Sequence, residues 1–240
     1  MIKLKDILFE KFVNTELDQK YFDAIKRNDI EMAQQMTNDT AKKSGYNIGP
    51  LWHQTNKMFN VFDISNKHGS SGGKLEYLIP NGIYLKDTNK QILVRGDLQM
   101  KLFAKLNNPL QIEDRDELSN FLQKNMPEFS EIENTLEGIR KNGIEKLRKS
   151  KNLNIDAKNF QNEYNRFTQR IKAMVTLFFN KSKFDGIIIN NDRNILTTVV
   201  FKANQLKSAN PIIRQNGKII PLSKRFNPSS DSIISDGMNP

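Results

Sequence analysis

The chain contains no cysteine in its 240 residues, and this absence limits how the chain can hold a fold together. Disulfides, thiolate nucleophiles and thiolate metal sites are excluded, so packing alone must stabilise the interior. Hydrophobic residues make up 37% of the sequence, enough for one sizeable core with helical additions. We expect one main domain, and the lack of cysteine fits a reducing compartment.

The remaining composition narrows the classes of site and location. Only two histidines are present and the carboxylates lack ligand spacing, so we expect no metal site. No run of about eighteen apolar residues occurs, and the opening Met1-Ile2-Lys3-Leu4-Lys5 does not resemble a signal peptide. We expect a soluble intracellular protein without a membrane partner.

The formal net charge of +10 favours attraction to nucleic acid or another polyanion. The basic residues are spread along the chain, with one concentrated stretch from Lys141 to Lys151. Such a run is also typical of a solvated helix face. The charge therefore leaves nucleic-acid binding open without requiring it.

Hydrophobic periodicity predicts strands on both sides of a helical middle, which indicates an α+β fold. After two short helices from Asp18 to Gly45, single strands are expected at 51–53, 82–85 and 98–106, and a hairpin is expected at 184–189 and 197–201. Between them, helices are predicted at 114–122, 129–149 and 159–180.

Two segments interrupt this pattern. Residues 65–73 are rich in glycine and serine and are interpreted as a mobile loop. The chain becomes polar beyond Pro211, and its end, residues 227–240, has the composition of a disordered tail or a linker. We therefore divide the chain into an N-terminal helical preface (1–46), a central domain (47–212) and a polar C-terminal tail (213–240).

Three separated motifs carry a resemblance to a known family. They are Leu51-Trp52-His53-Gln54-Thr55, then Gly82-Ile83-Tyr84-Leu85, and then Phe184-Asp185-Gly186-Ile187 leading to the stretch from Val199 to Ala209. In this order they resemble the ADP-ribosyltransferase domain of phage and mobile-element polyvalent proteins, and more distantly the poly(ADP-ribose) polymerases. The resemblance implies an ADP-ribosyltransferase-like split antiparallel β-sheet with flanking helices.

The same resemblance implies NAD⁺ as the substrate and assigns residues to it. His53 is expected to hydrogen-bond a ribose hydroxyl, and Tyr84 to stack on the nicotinamide ring. Gln54, Thr55 and Gly82 are expected to complete the NAD⁺-binding segments. Taken alone, His53 and Tyr84 would be interpreted as a buried histidine and a core aromatic residue.

Two positions depart from the family pattern. Gln54 stands where the family has a small residue, so its side chain would crowd the nicotinamide amide. Thr197 stands where polymerase-like members carry the catalytic glutamate, and a threonine supplies no negative charge. Gln205, eight residues later, is interpreted either as a structural residue after the last strand or as a group that orients the acceptor.

The resemblance implies a mono-ADP-ribosyltransferase that acts on a host macromolecule, either a protein or a nucleic acid. His53, Tyr84, Thr197 and Gln205 are its candidate catalytic residues. The expected location is the cytoplasm of a host cell, reached by expression there or by delivery with a virion. The alternative is a catalytically silent module that keeps the cleft for binding NAD⁺ or a macromolecule.

Overall fold

The structure, a computed structural model, describes residues 16–64, 78–87, 98–149, 153–190 and 196–234. The predicted glycine-rich loop at 65–73 lies outside these ranges. Within them, no helix combines the length and the apolar character that crossing a membrane would need.

The described ranges contain five α-helices and one large sheet, an α+β arrangement that confirms the predicted fold class. The helices are α1 (Glu16–Lys26), α2 (Ile30–Lys43), α3 (Arg115–Asn125), α4 (Phe129–Lys149) and α5 (Leu153–Lys181). The strands of the large sheet are β1 (Ile48–Thr55), β2 (Ile83–Lys86), β3 (Leu98–Ala104), β4 (Leu110–Ile112), β5 (Gly186–Asn190), β6 (Leu196–Val200) and β7 (Leu206–Ser208). A two-stranded ribbon follows, made of β8 (Arg214–Gln215) and β9 (Lys218–Ile219).

The large sheet has the strand order β4-β5-β6-β2-β1-β3-β7 and divides between β2 and β1. β1 pairs with β3 at six register positions, whereas in the described chain β1 meets β2 at one position, Trp52 opposite Lys86. All neighbours are antiparallel except β4 and β5, which are parallel. The predicted antiparallel sheet therefore needs one correction, because its β4 edge strand is parallel.

The middle helices cover one face of this sheet. On α5, the buried side chains of Ile171, Val175 and Phe179 repeat every fourth residue, so they form one stripe along the helix. That stripe packs in a cluster with Ile187 of β5 and Val199 of β6, together with buried residues of α3 and α4. The cluster fixes the helical side of the sheet.

A second cluster fills the other face of the sheet. It contains Leu51 of β1, Leu85 of β2 and Leu102 of β3, with Phe62 from the segment after β1. Ile233, near the end of the described chain, belongs to the same cluster. The C-terminal segment therefore contributes to the core beside the sheet.

The N-terminal helices and the C-terminal segment pack on each other. The carboxylate of Asp18 on α1 accepts hydrogen bonds from the Ser223 amide at 3.0 Å and its hydroxyl at 2.6 Å. Buried Arg225 donates to the carbonyl oxygens of Ser208 at 3.1 Å and Asn210 at 2.6 Å. Such a buried cation is held because carbonyl oxygens replace its hydration.

Residues 213–234 therefore pack against the rest of the protein, which corrects the interpretation of 227–240 as a disordered tail or a linker as far as residue 234. The buried apolar residues of this segment are Ile213, Ile220, Leu222, Phe226 and Ile233. They are few and widely spaced, so they produce no periodic pattern in the sequence. The division of the chain at residues 46 and 212 stays a prediction.

Candidate functional site

The split between β1 and β2 is where the first two sequence motifs meet. Beyond the pair Trp52 and Lys86, the two strands share no further register position in the described chain. A side chain makes a further contact between them, because His53 Nδ1 lies 3.0 Å from the Tyr84 carbonyl oxygen. The His53 ring thus bridges the opening that the backbone leaves.

The environment of His53 fixes its protonation state. A carbonyl oxygen only accepts, so the ring donates its Nδ1 hydrogen to Tyr84. Burial lowers the pKa of His53 from its ordinary value, and the hydrogen bond to the Tyr84 backbone opposes this only in part. The neutral ring carries its lone pair on Nε2. His53 can therefore accept a hydrogen bond from a hydroxyl group through that atom.

Aromatic rings support His53 from one side. Its ring centroid lies 4.9 Å from that of Phe62 and 6.2 Å from that of Phe59, both in edge-on geometry. The two phenylalanines contact each other at 4.6 Å. Their packing against one side of the imidazole ring orients it.

Tyr84 lies on the other side of the opening. It is half-buried and packs against the cluster that the middle helices form, whereas His53 faces Phe62 of the second cluster. The structure brings the His53 ring to the Tyr84 backbone, and it places the two side chains on opposite faces of the sheet. A ligand at the opening would have to reach from one face of the sheet to the other to contact both.

The register between β2 and β6 locates Thr197. Tyr84 is opposite Val199 and Lys86 is opposite Thr197. Directly opposed residues of antiparallel strands share a face, and alternate residues along a strand do as well. Thr197, Lys86 and Tyr84 therefore lie on one face, the face that the middle helices cover. Thr198 lies on the other face.

Lys86 is a residue of this site that the sequence reasoning missed. Its position two residues after Tyr84 was the available signal, because that spacing places both on one face of a strand. Burial lowers the pKa of Lys86 from its ordinary value. The strand position opposite Thr197 thus carries a positive charge in a partly desolvated setting.

The remaining predicted NAD⁺-binding residues have visible local roles. The Thr55 hydroxyl donates to the Lys57 carbonyl oxygen at 3.0 Å and accepts from the Lys57 amide at 3.2 Å, which closes a turn after β1. A Cβ added to Gly82 would lie 2.6 Å from the Val200 carbonyl oxygen, so only glycine fits so close to β6. Gln54 is half-buried and is paired with Gln99 of β3.

Gln205 ties three strand ends together. Its Oε1 accepts from the backbone amides of Phe201 at 2.9 Å and Lys202 at 2.8 Å. Its Nε2 donates to the carbonyl oxygens of Asp185 at 2.7 Å and Lys105 at 3.3 Å. The structural interpretation of Gln205 accounts for all four bonds. Its role in catalysis stays a prediction.

The described ranges hold no group of three or more His, Cys, Asp or Glu side chains arranged to bind a metal ion. The chemistry available at the opening is thus that of a neutral imidazole, an aromatic ring, a threonine hydroxyl and an amine.

Comparison with known protein families confirms the family that the three motifs resemble. The family model described as ADP-ribosyltransferase in polyvalent proteins matches residues 43–213, which is more than half of the chain. The chain belongs to this family. No curated protein and no solved structure matches the chain significantly.

Proposed function

We propose that the chain is a mono-ADP-ribosyltransferase that binds NAD⁺ at the opening between β1 and β2 and transfers ADP-ribose to a host macromolecule. Membership of the family supports an NAD⁺-dependent transfer in general. The single observation that carries the location is the His53 ring, which bridges the split of the sheet with Nε2 available as an acceptor. Host-cell cytoplasm, reached directly or with a virion, stays the predicted location.

The proposed roles of His53 and Tyr84 follow from their chemistry. A ribose hydroxyl would donate to His53 Nε2 in a site shielded by Phe62 and Phe59. The Tyr84 ring would stack on the nicotinamide pyridinium from the opposite side, an interaction of about 0.5 to 2 kcal/mol. Gln54, Thr55 and Gly82 would shape the backbone around the same end of the dinucleotide.

The reaction breaks the bond between the ribose C1′ and the nicotinamide nitrogen. Nicotinamide leaves as a neutral molecule, a nucleophilic atom of the acceptor bonds to C1′, and the proton of that atom passes to solvent or a base. The transition state is loose and cation-like, so positioning and electrostatics supply most of the acceleration. Neutral His53 and Thr197 can orient the ribose without offering a carboxylate.

A second candidate function is a catalytically silent module that binds NAD⁺ or a macromolecule. One observation favours it: Lys86 lies opposite Thr197. In the resemblance, the position of Thr197 is the one at which polymerase-like proteins carry a glutamate. A positive charge at this place would oppose the charge that develops on the sugar. The two functions share the binding site and differ in turnover.

Substitution of Thr197 separates the two functions. Thr197→Glu should raise nicotinamide release from NAD⁺ by at least about tenfold, equivalent to roughly 1.4 kcal/mol, because the carboxylate stabilises the developing cation. Thr197→Gln is the matched control, since glutamine has nearly the same shape as glutamate and carries no charge. An active wild type with no response to either variant would place the acid role on another residue. Inert proteins that still bind NAD⁺ would favour the silent module.

The acceptor is addressed with labelled NAD⁺. The protein is incubated with it in a bacterial lysate, and the labelled product is then treated with protease or with nuclease. Label that protease releases would identify a protein acceptor, and label that nuclease releases would identify a nucleic acid. Absence of any macromolecular label, with nicotinamide released, would contradict the transfer step.

A further inference from the structure

A second concave surface lies at the far end of β6 from Thr197. Phe201 comes four residues after Thr197 along extended chain, a span of about 13 Å. The cavity has a volume of about 430 Å³, which is within the range of pockets that bind small ligands. Its walls come from the ends of β3, α5 and β6 and from the residues that lead into β5. Of the candidate catalytic residues, only Gln205 lines it.

Three lysines from three separate segments line this cavity: Lys105, Lys183 and Lys202. None of them forms an ion pair with a described residue. The carboxylate among the lining residues is that of Asp185, and its oxygens accept from the backbone amides of Asn107 at 2.6 Å and Asn108 at 3.0 Å. Three lysines against one carboxylate give the described lining an excess of positive charge.

The other lining groups suit an anion that bears oxygen atoms. Asn107, Asn180 and Asn204 are among the lining residues, and their side-chain amides form no hydrogen bond with another described residue. The half-buried rings of Phe184 and Phe201 supply apolar wall. Unpaired ammonium groups and free amide donors are the groups that bind phosphate oxygens in proteins.

A plainer explanation covers two of the lysines but not the third. Lys183 follows the C-terminus of α5, where a cation complements the helix dipole, and its Nζ lies 5.7 Å from the Phe184 ring centroid. The Nζ of Lys105 lies beside Gly45 at the C-terminal end of α2, so the same explanation applies to it. Lys202 follows β6 and has no helix C-terminus to complement, and the helix dipole does not explain why it lines the same cavity.

We propose that this cavity binds a phosphate group of a ligand, and that it does so independently of NAD⁺ at the β1–β2 opening. The phosphate can belong to a small free anion or to the backbone of a nucleic-acid strand. Both sources present the same oxygen atoms to the three lysines. The inference goes beyond the proposed transferase reaction, since none of the residues assigned to NAD⁺ binding lines this cavity.

The test measures binding of pyrophosphate and of a short single-stranded oligonucleotide, each by calorimetry at low ionic strength. The variant carries Lys105→Gln, Lys183→Gln and Lys202→Gln together. The control carries Lys42→Gln, Lys124→Gln and Lys158→Gln, which removes the same charge from exposed lysines outside the cavity. We expect saturable binding that the cavity variant weakens by about tenfold or more and that the control leaves nearly unchanged.

Each outcome decides the proposal. Pyrophosphate binding that depends on the cavity lysines identifies a small phosphate ligand, and oligonucleotide binding alone identifies a phosphodiester strand. Loss of affinity that is equal in the control, or no saturable binding of either probe, overturns the proposal. Lys202→Gln alone, at an exposed position, repeats the comparison if the triple variant does not fold. Wild-type pyrophosphate affinity in His53→Ala would separate this cavity from the NAD⁺ site.

Discussion

Replacing Gln205 with alanine should remove the side chain that joins the ends of β3, β5 and β6. Three of its hydrogen bonds are between 2.7 and 2.9 Å, and the fourth is longer at 3.3 Å. A typical bond contributes about 1 kcal/mol net, and Gln205 is half-buried, so water can replace part of what is lost. We expect the free energy of unfolding to fall by about 2 to 3 kcal/mol.

Urea denaturation measures this loss as a lower midpoint with an unchanged slope. Gln111→Ala is the matched control, because Gln111 is exposed on β4 and the same atoms are removed there, with an expected change within about 0.5 kcal/mol. Gln205→Glu should fall between the two, since it keeps the acceptor for both amides and loses the donor to Asp185. A loss no larger than that of Gln111→Ala would refute the structural reasoning. Full stability with abolished turnover would instead support the predicted role in orienting the acceptor.

Three further predictions concern packing, pH and the C-terminal segment. Gly82→Ala should destabilise the protein by about 1 to 3 kcal/mol, because the added Cβ would overlap β6. Gly138→Ala, which meets open space on α4, should stabilise it by about 0.5 to 1 kcal/mol. Thermal or urea unfolding of both variants measures the two changes. Burial lowers the pKa of His53 below 6.5, so the unfolded chain takes up the proton first as pH falls. Stability should therefore drop below about pH 6.5, by at most about 1.4 kcal/mol per pH unit, and His53→Gln should lack this drop in pH-dependent urea titrations. Lys207→Met should lower the free energy of unfolding by about 2 kcal/mol or more, because buried Lys207 donates to the carbonyl oxygens of Ser230 at 2.9 Å and Ser232 at 2.6 Å. The control is Lys224→Met at an exposed position. Faster proteolysis near residue 230 in Lys207→Met than in this control would confirm the prediction.

The sequence was most informative where local chemistry decides the structure. Asp29 caps α2 by accepting from the Met32 amide, as its residue type and position indicate. The stripe on α5 and the β-branched hairpin of β5 and β6 follow from periodicity within a single element. The predicted starts of α3 and α4 agree with Asp114 as a cap and Phe129 as the first helical residue.

Pairing between distant segments was less accessible. β4 is three residues long, and its parallel partner β5 begins more than seventy residues later. Nothing in Leu110-Gln111-Ile112 specifies which strand it will join. The C-terminal segment was misjudged for a related reason, since the buried cations Lys207 and Arg225 are held by carbonyl oxygens that no residue pattern reveals.

The candidate site was predictable in its local motifs and not in how distant segments meet. The motifs around His53 and Tyr84 were recognisable from the sequence, and the contact between the His53 ring and the Tyr84 backbone joins them in space. Their placement on opposite faces of the sheet depends on the register between strands, which neither motif specifies. The spacing of Lys86 from Tyr84 was readable, but its position opposite Thr197 comes from the register of β2 and β6.

Calorimetric titration of NAD⁺ into the wild type, His53→Ala and Tyr84→Phe tests most directly whether the β1–β2 opening is the NAD⁺ site. The account predicts that His53→Ala weakens binding by about 1 to 3 kcal/mol, because a shielded ribose hydroxyl loses its acceptor, while Tyr84→Phe keeps most of the affinity through its ring. Unchanged affinity in a folded His53→Ala protein would contradict the account and remove the opening as the NAD⁺ site.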